Sequence, residues 1–356
     1  MNKLTKVGLS ALCGSLAAVS SANAGEMSVS GSATATYQSN AGATTGNPIG
    51  MNSGLTFAGS GELDGGQTFS YTITNADQAA FSAGSISLTT NMLGTWTIGA
   101  IHGGGGIDSK DDVAPTAWEE VDGTGMTVGQ DKISGVGGSM NISWKSPKLL
   151  GSNLTLAYAP RNDGKMVNDK GSSGSSGSDR YQYGYDILLD MNVDNALYLP
   201  NVFIGGSATH QEGNYTTSTS AGRSPIQYDD KYEAVAGFVW KLGPLSAGLQ
   251  RSFEHPGNRG DGNVEYYANT AYGVSFNVND SLSLSYGEHW SHQSNIGSNG
   301  DANSVSVRSE AESFQVAYTI GGVALKLAES KVDNAQYVTS GAGDLEGRTI
   351  AMSLAF

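Results

Sequence analysis

Strict alternation of apolar with small polar residues constrains this chain more than any other feature. In the first clear segment Met27, Val29, Ala33, Ala35 and Tyr37 stand at alternate positions, and the residues between them include a serine or threonine at every even position. Successive side chains of a β-strand point to opposite faces, so a period of two predicts a strand with one apolar and one polar face. A helical period does not fit this segment.

The same period recurs to the end of the chain. It predicts about sixteen strands, an even number within the range found in membrane barrels. The apolar positions after the first segment are, in order, Leu55 and Phe57, Phe69 and Tyr71, Ile86 and Leu88, Trp96 and Ile98, Ile142 and Trp144, Leu154 and Leu156, Tyr185 and Ile187, Val202 and Ile204, Ala236 and Phe238, Leu245 and Leu249, Val274 and Phe276, Leu284 and Tyr286, Phe314 and Val316, Leu325 and Leu327, and Met352 and Leu354.

The links between these strands alternate in length. Short turns such as Asp64–Gly66 and Gly321–Gly322 alternate with long polar links such as Asn40–Met51 and Val332–Glu346. Glycine, proline, asparagine and aspartate permit tight turns. Because antiparallel membrane barrels have short turns on one side and long loops on the other, the alternation predicts that topology.

The composition agrees with an all-β transmembrane antiparallel barrel. Only 15% of the residues are charged, and 50 are glycine. A barrel needs apolar residues only at every second strand position, because the other face lines its interior. The alternative is a soluble β-sandwich or solenoid, which predicts irregular loop lengths and a more charged exterior.

The N-terminus has the features of a secretory signal peptide. Lys3 and Lys6 precede an apolar run, Val7–Val19, and small residues lead to an expected cleavage after Ala24. A transmembrane helix is the alternative, but it needs about 20 apolar residues. Cys13, the single cysteine, lies in the segment predicted to be removed, so no disulfide is expected. The predicted domains are therefore a signal peptide, 1–24, and a barrel, 25–356.

The net charge excludes one class of partner. The formal charge of the whole chain is −14. Removal of Lys3 and Lys6 makes the mature chain still more negative. An acidic protein is a poor ligand for nucleic acid, whose phosphates are bound by Lys and Arg.

Three segments carry a family resemblance. Ala351–Phe356, with a terminal aromatic residue, resembles the C-terminal signal that the barrel assembly machinery recognises in outer-membrane proteins. With Ala317–Val323 and Ser143–Pro147 it resembles the Gram-negative general diffusion porin family, particularly its alphaproteobacterial members. The resemblance covers the whole mature chain. It implies a trimeric, multi-pass barrel in the bacterial outer membrane, in contact with lipopolysaccharide, with Phe356 as the assembly signal.

The resemblance also implies a third external loop that folds into the barrel and narrows it. The matching stretch is the longest link of the chain, about 102–136, after Leu93–Gly99. It predicts an acidic constriction and a mild cation preference, because low-dielectric walls concentrate the field of charges at the narrowest point. The alternative is that these acids only solvate the surface or bind divalent ions that bridge lipopolysaccharide. The predicted acidic residues are Asp108, Asp111, Asp112, Glu119, Glu120 and Asp122.

The sequence departs from the family on the opposite wall, where relatives carry arginines. Between Gly25 and Ser109 there is no Lys or Arg, and Ala100 stands where relatives often have Arg. Alternation places the charged candidates for the pore wall on later strands and at one early position. They are the basic residues Lys145, Arg180, Lys231 and Lys326 and the acidic residues Glu62, Asp186 and Glu233.

No cofactor is predicted. Asp108, Asp111 and Asp112 are weighed as a Ca²⁺ site, since hard cations bind several oxygen ligands, but their spacing does not match a known calcium loop. His289 and His292 fall on opposite faces of one strand, which argues against a shared metal site.

The predicted function is passive diffusion of small hydrophilic solutes and ions through a water-filled channel. No motif places a nucleophile beside a histidine, so the chain is predicted not to be an enzyme. A substrate-specific channel is the main alternative, and an adhesin or a barrel with a surface hydrolase are the others. Rows of aromatic residues or a cluster of arginines inside the barrel would favour specific transport.

Overall fold

The computed structural model of the chain describes nine stretches. They are residues 25–41, 46–77, 82–100, 105–162, 180–192, 199–212, 228–259, 262–297 and 306–356, without the side chains of Ala41, Ala100 and Asp122. The predicted signal peptide, His102 at the start of the predicted loop, and the side chain of Asp122 lie outside the description. Within these stretches, no helix is long and apolar enough to cross a membrane.

Sixteen strands are formed in the described residues, each where the alternating pattern predicts one. The strands are β1 Glu26–Ala41, β2 Ile49–Glu62, β3 Thr68–Ala76, β4 Ala83–Thr90, β5 Gly94–Ala100, β6 Asn141–Lys145, β7 Ser152–Ala159, β8 Tyr181–Met191, β9 Asn201–Gln211, β10 Lys231–Leu242, β11 Leu245–His255, β12 Val264–Asn277, β13 Leu282–Asn295, β14 Ser306–Ile320, β15 Val323–Asp333 and β16 Leu345–Ala355. Short 3₁₀ turns are formed by Ile107–Lys110, Val121–Gly123, Ala335–Tyr337 and Gly341–Gly343.

The strands close into one antiparallel barrel. Each strand pairs with its neighbours in sequence, and β1 pairs with β16 to complete the ring. At this closure Thr34 lies opposite Ser353, and their hydroxyls are 2.8 Å apart. Gly31 and Phe356 exchange two backbone hydrogen bonds, of 2.8 and 3.0 Å. The predicted fold class, a closed barrel of sixteen antiparallel strands, is confirmed.

The two faces of the barrel wall differ in the way the alternation requires. Large apolar side chains are exposed on one face, called the apolar face; Met51 is 80% and Ile98 53% exposed. The other, polar face carries buried hydroxyls, and Thr209, Ser291 and Ser309 are fully buried. An exposed apolar face suits the hydrocarbon interior of a bilayer, and closure of the barrel pairs the backbone N–H and C=O groups of the strand edges.

The two ends of the barrel also differ. One end of the barrel, called the turn end, contains the start of β1, the end of β16 and the short turns. Gly243 and Gly321 have positive φ angles of 59° and 60° there, which a residue without Cβ adopts at no steric cost. The long links lie at the other end, called the loop end. The longest of them, between β5 and β6, positions the candidate site.

Candidate functional site

Residues 105–140, called the β5–β6 segment, pack against the polar face of the barrel wall. Six apolar side chains of the segment are buried, and two of them, Ile107 and Val136, have 0% exposure. Ile107 and Ile133 of the segment pack with Leu188, Phe203 and Val235 of the wall in a small apolar cluster. A similar cluster forms around Val121, Met126 and Val128, so hydrophobic burial holds the segment in place at several points.

Two wall carboxylates bind the backbone of this segment. Asp186 Oδ2 on β8 accepts hydrogen bonds from the backbone N of Ile107 (3.0 Å) and of Val136 (3.2 Å). Glu233 on β10 accepts them from two adjacent backbone N atoms, at 2.7 and 3.0 Å, of residues 134 and 135. Both carboxylates are nearly fully buried, at 2% and 3% exposure. They face the polar side, as the alternation predicts, but backbone amides occupy them.

Gln315 on β14 is another anchor, which sequence reasoning did not single out. Its Oε1 accepts hydrogen bonds from the backbone N of Trp118 (3.1 Å) and Glu119 (3.2 Å), and its Nε2 donates to the Glu119 carbonyl (2.7 Å). Ser285 Oγ accepts from the backbone N of Ala117 at 2.8 Å. The signal in the sequence was size, because this long amide stands among small residues, Ser309, Ala311, Ser313 and Ala317, on its face of β14.

Glycines of the wall leave space for the segment. A Cβ at Gly273 would stand 2.6 Å from the carbonyl oxygen of Pro115, and a Cβ at Gly248 would stand 2.6 Å from the Pro115 ring. A Cβ at Gly205 would stand 2.8 Å from the side chain of Ile107. At these positions the missing side chain therefore serves close packing.

The close packing of Pro115 on these wall glycines can be tested by substitution. In Gly273→Val the new side chain collides with the Pro115 backbone, and overpacking of this kind costs about 1–3 kcal/mol. We expect faster amide hydrogen exchange in residues 105–140 and an unchanged β-sheet circular dichroism spectrum. Gly59→Val is the matched control, because a Cβ at Gly59 meets nothing within 4 Å. Equal rates of amide hydrogen exchange in residues 105–140 of the two variants would contradict the proposed packing of Pro115 on Gly273.

Lys231, a predicted basic wall residue, is enclosed by carboxylates. Its Nζ lies 3.2 Å from Glu254 and 3.5 Å from Glu233, and its side chain is 12% exposed. Burial raises the pKa of the nearby Asp131 carboxyl in the segment, and the charge of Lys231 opposes this rise. Lys231 therefore holds the segment and the wall together, and little of its charge faces open space.

Three of the six predicted acidic residues form one compact group with Lys132. Asp111, Asp112 and Glu120 line the same small cavity, and Lys132 Nζ lies 3.8 Å from Asp112. Burial raises the pKa of Asp111 to about 6. Burial, and then a hydrogen bond and repulsion from Asp112, raise the pKa of Glu120 to about 9, so Glu120 is protonated at neutral pH. Glu119 is exposed outside this group.

Asp108 faces a different part of the segment. Its carboxylate occupies the space beside Gly137, where a Cβ would stand 1.9 Å from it. Among the described residues, no three His, Cys, Asp or Glu side chains are grouped so that they could hold a metal ion.

The contacts of the segment with the wall described above lie on β8–β14, and the early strands present a hydroxyl surface. The polar face of β1–β5 is built from threonine and serine, with hydroxyl pairs Thr56–Thr74 at 3.2 Å and Ser87–Thr97 at 2.8 Å. Glu62 is exposed at the turn end of β2. This wall carries no Lys or Arg, so the acids of the segment have no cationic counterpart on β1–β5.

The remaining predicted basic residues are separated from one another. Lys145 is exposed at the end of β6. Lys326 on β15 lies 5.7 Å from the centre of the Trp118 ring. Arg180 precedes β8 at the loop end, where it bonds the Pro256 carbonyl at 2.7 Å and stacks on Tyr228 at 3.9 Å. These residues do not form one basic cluster.

Comparison with known proteins identifies the fold. No protein-family model and no curated protein matches the sequence. The structure is similar to that of an anion-selective porin from Comamonas acidovorans, with a TM-score of 0.62, 14% identity, and coverage of 93% of this chain and 99% of that chain. OmpF of Salmonella typhi, solved with daunomycin, gives a TM-score of 0.62, 11% identity, and coverage of 93% and 98%. OmpT, an outer membrane protein of Vibrio cholerae, gives 0.62, 9%, and 95% and 99%.

Proposed function

We propose that this chain is an outer-membrane channel for passive diffusion of small hydrophilic solutes and ions. The observation that carries the proposal is a closed barrel with an exposed apolar face, a hydroxyl-rich polar face and a long segment bound to that polar face. Outer-membrane porins share this fold. Diffusion needs no reacting group, and the proposal accordingly includes no enzymatic activity and no cofactor.

The β5–β6 segment forms the constriction in this proposal. The segment packs against the polar face of β7–β16. In this proposal it narrows the lumen, so that solutes pass between it and the hydroxyl wall of β1–β5. Asp111 and Asp112 supply the negative charge, with Lys132 as the cation of the group. Because the opposite wall has no basic residue, the channel prefers cations mildly. The Ca²⁺ site weighed at Asp108, Asp111 and Asp112 is not part of the proposal.

A homotrimer is the proposed assembly. The strands β4, β5 and β6 have only 8, 7 and 5 residues. Five residues span about 17 Å, less than the apolar band of about 25 Å on a membrane barrel. Trp96 and Ile98 on β5 are 49% and 53% exposed. In a trimer, a neighbouring copy would cover the apolar face of the short strands β4–β6. A neighbour of the same fold, OmpT of Vibrio cholerae, has been solved in a trimer form.

The proposed location is the bacterial outer membrane, with the loop end outside and the turn end towards the periplasm. Residues 1–24 direct export, and Phe356 is read by the barrel assembly machinery. Lipopolysaccharide surrounds the apolar face at the loop end. Mass spectrometry of the mature protein tests the first step, because cleavage after Ala24 leaves Gly25 as its first residue.

Planar-bilayer recording tests the proposed function. The purified, folded chain is expected to produce stepwise openings in groups of three, and a salt gradient is expected to give a reversal potential on the cation-selective side. Folding is checked independently by the β-sheet circular dichroism spectrum. Well-folded protein that produces no conductance would contradict the proposal, and single steps would contradict the trimer alone.

A further inference from the structure

A concave pocket of about 450 Å³ lies between the β5–β6 segment and the polar face of β8–β12, near the turn end. Volumes of about 300–1,000 Å³ are typical of sites for small molecules. The segment supplies one side through Lys110, Val113 and Pro115, and the wall supplies the other through residues that include Phe203 and Lys241.

Fixed contacts shape this pocket. Lys110 Nζ is 2.7 Å from Asp190 Oδ1 and 5.2 Å from the centre of the Phe203 ring. Pro115 is seated on Gly248 and Gly273, as described above. Because the segment is held on both sides of the cavity, the pocket is formed before any ligand enters, which lowers the ordering cost of binding.

The charge of the pocket is opposite to that of the chain. Lys110 and Lys241 line it with a single carboxylate, Asp190, although acidic residues outnumber basic ones by 33 to 19 in the whole sequence. Asp190 pairs with Lys110. Lys241 is exposed at the end of β10 and supplies the remaining positive charge.

The other lining groups select against a bare inorganic anion. Val113, Pro115, Phe203 and Val239 offer apolar surface, which stabilises an apolar body by its removal from water. The side-chain oxygen of Asn201 is buried and accepts no hydrogen bond within the described residues. A ligand that donates a hydrogen bond would satisfy it.

We infer that this pocket binds small organic monocarboxylates with an apolar body, the carboxylate on Lys241 and the body against Phe203 and Val113. The inference deepens the proposed channel function and rests on it for the route by which the solute arrives. It predicts that such solutes pause in the channel on the turn-end side of the segment.

The probe is 4-hydroxyphenylacetate, which combines a carboxylate, a ring and one hydroxyl donor. Equilibrium binding to the folded, detergent-solubilised mature chain is measured by saturation-transfer NMR titration. Loss of a charge-assisted hydrogen bond lowers affinity by about tenfold or more. We therefore expect about tenfold weaker binding to Lys241→Gln, and about tenfold weaker binding of the uncharged 4-hydroxyphenylacetamide to the wild type.

Matched controls separate the pocket from general attraction to a lysine. Lys145→Gln removes an exposed lysine at the end of β6 that does not line the pocket, and it is expected to leave affinity unchanged. Acetate, which has the charge without the ring, is expected to bind at least about tenfold more weakly. Equal affinity for acid and amide, or equal loss in the two lysine variants, would overturn the inference.

Current recordings distinguish this inference from the channel proposal. The probe is expected to interrupt the ion current more strongly from the turn-end side, and Lys241→Gln is expected to abolish the difference between sides. Binding without conductance would refute the channel and leave the pocket standing. Conductance without binding would refute the pocket alone.

Discussion

Replacement of Asp186 and Glu233 together by alanine is expected to release the β5–β6 segment and to convert a quiet channel into a wide, fluctuating one. The two carboxylates accept hydrogen bonds from four backbone amides of the segment. Bonds to a charged acceptor contribute about 1.5–3 kcal/mol each, and a buried amide left without a partner costs about 1–3 kcal/mol. This loss is comparable to the whole stability of many domains.

The measurement is single-channel conductance, with the amplitude and frequency of fluctuations as readouts. Asp186→Asn with Glu233→Gln is the matched control. At position 186 both backbone amides bond one oxygen, Oδ2, which the new amide retains as an acceptor. At position 233 the two backbone amides bond different oxygens, so the new amide keeps one acceptor and presents an NH₂ group to the second backbone amide. We therefore expect the amplitude and the frequency of the fluctuations to increase from the wild type to the amide variant and again to the alanine variant. The circular dichroism spectrum checks that the barrel persists. An alanine variant that conducts quietly at the wild-type level would contradict the anchoring role.

The second large effect expected is on ion selectivity, and it depends on pH in two steps. The pKa of Asp111 is about 6 and that of Glu120 about 9, both raised mainly by burial. An acid with a raised pKa gains its charge only as the pH rises through that value. Cation preference should therefore increase on passing about pH 6, and again on passing about pH 9.

Charge-neutralising variants separate the two steps through reversal potentials. Asp111→Asn with Asp112→Asn is expected to shift selectivity towards anions at neutral pH, whereas Glu120→Gln is expected to be silent there and to remove only the upper step. A unit charge 4 Å from an ion in water contributes about 1 kcal/mol, which is about fivefold in local cation concentration.

Lys132→Gln serves as a control of opposite sign. Its removal leaves the acidic group without its near cation, so cation preference should rise. Reversal potentials that move in neither direction in these variants would show that the segment does not line the narrowest part of the channel.

The barrel could be predicted from the sequence, because its signal is local. Alternation such as that from Met27 to Tyr37 sets which face of a strand is apolar, and glycine-rich links such as Gly321–Gly322 set the tight turns. Sixteen repetitions of one local rule leave few alternatives. The orientation of Asp186 followed from the same rule.

The surroundings of the inward charges could not be predicted in this way. Alternation makes Asp186, Lys231 and Lys145 equivalent, but the segment covers the first two and leaves the third exposed. That difference depends on contacts between residues far apart in sequence, such as Gln315 with Glu119. The glycines that seat Pro115 are likewise indistinguishable from strand glycines until the segment is placed.

The pairing of β1 with β16 has a kinetic consequence. All the other strand pairings join strands that are consecutive in sequence. In the β1–β16 pairing, contacts such as Thr34 with Ser353 join residues 319 positions apart. Closing so long a loop costs more conformational entropy than forming a hairpin, and contacts distant in sequence slow folding. Until this seam forms, the sheet has two unpaired edges that invite association with other chains. We expect refolding to be limited by ring closure, with the open sheet as the aggregation-prone intermediate.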